Sequence, residues 1–234
     1  MSGPEDCSNK NCSLQMDGDT SESVMITDTT RTHTISVLGV QSCTLRFLAV
    51  GGGGEGYCSG GGSGYVQYQS ISVSSGTEIS AEVGDSGEPS TVVINGRSTV
   101  ANPGGRDGYS GGGYGGYNGG TDGGDGECKS HNRCPFEGKG TGDDITAFYF
   151  SSWNLTPGRG GLVNRASSYT CTCKVCGGGG GGVAVDGTQP TYYNGADYIT
   201  LGYGYGGGGS GYYRYRHSIM TYGRQGIILL EITS

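Results

Sequence analysis

The apolar residues of this chain fall into short alternating runs separated by glycine. "THTISV" (32–37) and "TLRFLAV" (44–50) alternate polar and apolar positions, placing Cys43, Leu45, Phe47 and Ala49 on one face. "YVQYQSISV" (65–73), "TEISAEV" (77–83), "TVVI" (91–94) and "RSTVA" (97–101) follow, then "DITAFYFSSW" (144–153), "VAVDG" (183–187) and the closing "GIILLEIT" (226–233). Each reads as a strand. Asn95-Gly96, between two of them, predicts a tight hairpin, because both residues tolerate the positive φ of a type I′ turn. No segment sustains a helical period, and interior glycines oppose helix. The pattern predicts an all-β chain built as a sandwich or barrel. Residues 1–22 are polar and read as a loosely ordered arm, with Cys7 and Cys12 close enough for a short disulfide. A single glycine-rich domain is expected over 23–234.

Glycine supplies 52 of the 234 residues and changes this picture. Its runs lie at 51–54, 60–62, 104–126, 177–182 and 202–211. A flexible linker needs no constraint at its ends, whereas these runs are bounded by strands or cysteines. The alternative is a bundle of polyproline-II-type helices, with three residues per turn and outward-pointing backbone groups. Packed side by side, such helices bond N–H to C=O between neighbours, and only glycine lets backbones approach so closely. Ordering glycine costs entropy, so the bundle needs anchors. Cysteines at the ends of the runs are expected to supply them.

Nine cysteines, at 7, 12, 43, 58, 128, 134, 171, 173 and 176, point to an oxidising compartment. We expect disulfides among Cys7, Cys12, Cys58, Cys128, Cys134, Cys171, Cys173 and Cys176. They include Cys128 with Cys134, and one bond from the 171–176 cluster to a distant cysteine such as Cys58. The odd count leaves Cys43 as the expected free or intermolecular thiol. Asn11 ("NCS") and Asn154 ("NLT") are acceptor sites for N-linked glycan, which fits an extracellular protein. "MSGPEDCSNK" has neither a basic start nor an apolar run, so no signal peptide is visible. The net charge of −7 argues against nucleic acid as a partner. No run approaches 18 apolar residues, so no membrane insertion is expected.

"LRFLAVGGGGEGYCSGGGSGYV" followed by "ISVSSGTEISAEVGDSG" resembles a widespread glycine-rich domain. The later "PGRGGLV", "CGGGGGGVAVDG", "GYGYGGGGSG" and "GIILLEI" are similar to the extracellular glycine-rich region of anaplastic lymphoma kinase, leukocyte tyrosine kinase and related invertebrate proteins. The resemblance runs over roughly residues 32 to 233. It implies a tumour-necrosis-factor-like β-sandwich with an inserted bundle of polyglycine helices, a binding or structural role outside the cell, and no catalysis. The chain contains no kinase domain and no spanning segment, so signalling does not carry over.

Catalytic motifs fail on context. "GDSGEP" (84–89) nearly spells a serine-protease nucleophile, but only His33 precedes Ser86 and Glu88 stands where glycine belongs. "GYSGG" (108–112) lacks the helix that a nucleophile elbow needs. "EGKGTG" has Arg133 and Gly140 at positions where a phosphate loop requires glycine and Ser/Thr. "CTCKVC" with His131 or His217 lacks a second ligand pair for zinc, and Asp122, Asp125 and Glu127 lack a calcium-loop spacing. No enzyme activity and no cofactor are expected.

Tyrosines number 17, and nine fall between Tyr192 and Tyr222. They either cover the glycine bundle or form an exposed patch for self-association or ligand contact. The patch would comprise Tyr203, Tyr205, Tyr212, Tyr213, Arg214, Tyr215 and Arg216. The sequence thus predicts a secreted structural building block whose partner is itself. The alternative is an extracellular recognition module for a protein ligand. Ice binding by flat glycine faces is a third reading.

Overall fold

The alternating segments pair into antiparallel sheets. The computed structural model describes residues 11–39, 42–56, 60–106, 148–157, 179–186, 204–209 and 222–234, and the backbone of 213–214 and 217–218. Strands β1 (Ser13–Met16), β2 (Asp19–Ser21), β4 (His33–Leu38), β7 (Glu78–Glu82), β8 (Ser90–Ile94) and β9 (Arg97–Ala101) form a six-stranded sheet ordered β2-β1-β4-β7-β8-β9. Strands β3 (Ser23–Ile26), β14 (Ile227–Thr233), β5 (Cys43–Val50) and β6 (Val66–Val73) form a four-stranded sheet in that order. Two short pairs join β10 (Leu155–Pro157) to β11 (Val183–Val185) and β12 (Tyr213–Arg214) to β13 (His217–Ser218). None of the described residues is helical.

Period-two alternation decides which side chains meet. Leu14, Ile35, Ile79 and Val92 of the six-stranded sheet share one core with Leu45, Phe47, Ile228 and Leu230 of the four-stranded sheet. Removing each such side chain from water stabilises the fold by about 1.5–3 kcal/mol. The other face of the four-stranded sheet carries a second core, in which Leu48, Val50, Ile227 and Leu229 meet Phe150 and Val183. Strand β14 therefore has both faces covered, which is why it reads as an unbroken apolar run rather than an alternating one. The β8–β9 hairpin turns at Asn95 (φ 50°) and Gly96 (φ 76°), as the dipeptide predicts.

Two expectations need correction. The stretch taken as a polar arm already contains β1 and β2, so a boundary after residue 22 would cut the six-stranded sheet. The signal is the turn at Asp17 (φ 53°) and Gly18 (φ 92°), which pairs Met16 with Asp19. Arg31 ties this turn to the β3–β4 loop, with Nη2 2.6 Å from Asp17 Oδ2 and Nε 3.4 Å from Asp28 Oδ2. Its hydrogen bond holds the exposed Asp17 carboxyl below its usual range. Second, "DITAFYFSSW" is not a ladder strand over its described part, 148–153. Its aromatic rings cap the second core, while its backbone N–H groups at Ser151 and Ser152 are taken by a side chain.

The cysteine assignment changes with the arm. Cys43 is bonded to Cys12, with Cα atoms 6.0 Å apart, so it is neither free nor intermolecular and the Cys7–Cys12 staple does not form. Strand β1 runs antiparallel to β4 with Ser13 opposite Leu38, which returns Cys12 to the point where the chain enters β5. The bond joins the residue preceding β1 of the six-stranded sheet to the first residue of β5 in the other and is buried in the shared core. Replacing both cysteines by serine should lower stability by about 3–4 kcal/mol, the entropy of closing a loop of this length. Urea unfolding checks this, and an unchanged midpoint would contradict a sheet-to-sheet staple.

Candidate functional site

Beyond the sheets, backbone bonds to backbone. Strand β5 runs directly into Gly51–Gly54. From there Gly54 N–H donates to Gly62 O (2.8 Å), Gly62 N–H to Gly105 O (2.9 Å) and Gly104 N–H to Gly52 O (2.9 Å). Gly61 N–H donates to Gly209 O (2.7 Å), Gly209 N–H to Gly54 O (2.9 Å), Gly180 N–H to Gly61 O (2.9 Å) and Gly208 N–H to Gly180 O (2.9 Å). Segments from five separate parts of the sequence thus satisfy one another's polar groups. The approach is possible only without side chains. A Cβ added at Gly51, Gly54, Gly61, Gly64, Gly104, Gly179 or Gly208 would collide with a carbonyl oxygen of the adjoining segment. The network is seated on the sheets through the buried Ser90, whose Oγ donates to Val50 O (2.6 Å) and accepts from Gly84 N–H (2.9 Å).

A strap over 148–154 covers the outer face of the four-stranded sheet. Phe148 stacks on Tyr68 at 4.8 Å, and Phe150 meets Trp153 edge-on at 5.6 Å. The strap is held from below by Glu231, which is 1% exposed in the middle of β14. Glu231 Oε1 accepts from Ser151 N–H (2.8 Å), Ser151 Oγ (2.6 Å) and Ser152 N–H (2.8 Å). Its Oε2 faces Arg46 Nη2 at 3.1 Å, an ion pair rather than an aligned hydrogen bond. Burial pushes the Glu231 carboxyl up, but the Ser151 hydroxyl, the Ser152 amide and hydroxyl, and the Arg46 charge together hold it below its ordinary value. Arg46 also donates from Nη1 to Tyr149 O (3.2 Å) and lies 5.7 Å from the Tyr149 ring centre. That ring is 66% exposed. The strap and Asp186 line an open cleft of about 490 Å³.

The structure distributes the expected site residues unevenly. Tyr205 is half-buried against the second core, and its backbone bonds Val183 in both directions, at 2.7 and 2.9 Å. It acts as a strut between the glycine network and β11 rather than as an open contact surface. Tyr213 and Arg214 form β12, while Tyr203, Tyr212, Tyr215 and Arg216 lie outside the described residues. So do Cys7, Cys58, Cys128, Cys134, Cys171, Cys173 and Cys176, together with the acidic loop at Asp122. Asn11 and Asn154 are both exposed. Sequence reasoning missed Glu231, Arg46, Ser90 and Tyr149. A lone Glu in "IILLEIT" and a lone Arg in "TLRFLAV" were the available signal, since the β5–β14 register sets them opposite each other.

No protein-family model matches the chain, and neither the curated proteins nor the solved structures yield a match. Among the described residues no helix is long and apolar enough to cross a membrane.

Proposed function

We propose that this chain is a non-enzymatic extracellular structural protein. In this reading a tumour-necrosis-factor-like sandwich carries a bundle of polyglycine helices, and the unit self-associates into a fibre or matrix. The single observation that carries the reading is the glycine network, in which amides and carbonyls of distant segments bond directly without room for a Cβ. A body linked this way has no side-chain freedom inside it and resists bending. That is the property asked of a building block and not of a catalytic cleft. Sheets that share one core support the sandwich, and the passage of β5 into Gly51–Gly54 supports the resemblance to the glycine-rich receptor region. The association surface is assigned to the tyrosine-rich segment 192–222, whose end bears Tyr222, 64% exposed beside Gly223 of the network.

A concentration series followed by sedimentation and negative-stain imaging tests this. Concentration-dependent assemblies are expected, and changing Tyr212, Tyr213 and Tyr215 together to Ser should abolish them without changing the β-sheet circular-dichroism signal. Assembly that persists in the triple variant would remove the tyrosine surface. A second reading, a recognition module for a protein ligand, is favoured by the exposed Tyr149 poised over Arg46 beside an open cleft. A chain that stays monomeric throughout and binds one partner saturably would establish it instead.

A further inference from the structure

We infer that Asn154 carries an N-linked glycan, and that the glycan lies over the aromatic strap and closes this face to protein contacts. The inference rests on the extracellular reading above. Asn154-Leu155-Thr156 enters β10, so successive side chains point to opposite sides. Leu155 turns inward and is buried in the second core, while Asn154 and Thr156 are exposed. The amide to be modified and the hydroxyl that defines the acceptor therefore share one solvent-facing side. Only the backbone of Asn154 is committed. Its N–H donates to Asp186 Oδ1 (2.9 Å) and its C=O accepts from Asp186 N–H (2.8 Å). The side chain itself is exposed, so a bulky, hydrated substituent on it displaces none of the described residues.

Asn11 has the same tripeptide pattern but a different setting. Its middle residue, Cys12, must enter the core to reach Cys43, and Ser13 is locked into β1 opposite Leu38. Both tripeptides bury the middle residue and place the third in a strand, but only at Asn11 does disulfide closure through Cys12 compete with glycan transfer, so Asn154 is the site that is used. Asn154 is itself a wall of the cleft that Tyr149, Trp153 and Asp186 help to line. The first sugars of a glycan attached there lie against the Trp153 and Tyr149 rings, whose flat apolar faces match the C–H faces of a pyranose. A face shielded by sugar is withdrawn from assembly, which leaves association to surfaces away from the strap.

The test uses the full chain secreted from cultured animal cells, digested without reduction and analysed by peptide mass spectrometry. Treatment with a peptide N-glycosidase should convert Asn154 to Asp and leave Asn11 as Asn. Thr156→Ala should abolish the Asn154 glycan while the Cys12–Cys43 peptide pair persists. Trp153 is the sole tryptophan in the sequence, so its fluorescence reports the cleft. Enzymatic removal of the glycan should increase its quenching by acrylamide and red-shift its emission. An unmodified Asn154 in protein whose Cys12–Cys43 bond is intact overturns the inference and leaves the extracellular reading standing. Free thiols at Cys12 and Cys43 overturn both. Unchanged Trp153 quenching after deglycosylation overturns the shielding.

Discussion

Gly208→Ala is expected to cost more than about 4 kcal/mol, enough to abolish folding of a domain of ordinary stability. The added Cβ collides with the carbonyl oxygen of Gly61, and that obstacle is backbone, which cannot swing aside as a side chain does. Gly61 in turn donates to Gly209 and accepts from Gly180, so the collision propagates into several segments at once. Gly96→Ala is the matched control. Gly96 has a φ of 76°, but a Cβ there meets nothing within 4 Å. Its cost should be limited to the left-handed backbone penalty of about 1–2 kcal/mol. Thermal unfolding of the two variants compares collision with conformational strain. Equal destabilisation would mean that the glycine segments yield, and the rigid-scaffold reading would lose its support.

Arg46→Ala should be the most damaging change among the charged residues, at about 3–5 kcal/mol, because it leaves the Glu231 carboxylate buried without its counter-charge. The same site sets an acid limb. Since the Glu231 carboxyl is held below its ordinary value in the folded chain, its contribution is present above the unfolded-state value. It is lost as pH falls through the lowered folded-state value. Glu231→Gln removes the titration while keeping an acceptor for Ser151 and Ser152. Its stability should therefore fall less steeply than that of the wild type as the solution is acidified below the ordinary carboxylate range. Chemical unfolding at a series of pH values decides this, and parallel curves for the two proteins would show that Glu231 does not set the limb.

The strands were legible wherever one face is buried and the other is wet. Strand β4 alternates fully, with His33, Ile35 and Val37 inward, and its sequence shows it. Strand β14 was legible for the opposite reason, its apolar run being long enough to need cover on both sides. Strands β1 to β3 were hidden because three or four residues carry too few apolar positions to display a period. Leu14 is the only fully buried side chain in β1. The strap was misread because Phe148, Phe150 and Trp153 have high strand propensity, yet propensity reports fit to a half-buried surface and not a ladder partner. The Cys12–Cys43 pairing and the Glu231–Arg46 contact depend on how distant strands align, which no local pattern encodes. Glycine placement pointed to close backbone contact, while the choice of which run touches which had no counterpart in the sequence.

The position of β14 has a consequence for biosynthesis. It sits between β3 and β5, both of which precede the long glycine-rich middle of the sequence, while β14 follows it. During synthesis the early strands must wait with open edges and unburied leucines, in a state that invites pairing with other nascent chains. Closure comes only when Ile227–Thr233 leaves the ribosome. Folding of this topology is consequently slow and late, dominated by contacts between remote parts of the chain. A nonsense mutation anywhere upstream of Ile227 yields a product that lacks the strand joining β3 to β5, so the four-stranded sheet loses its link to β3.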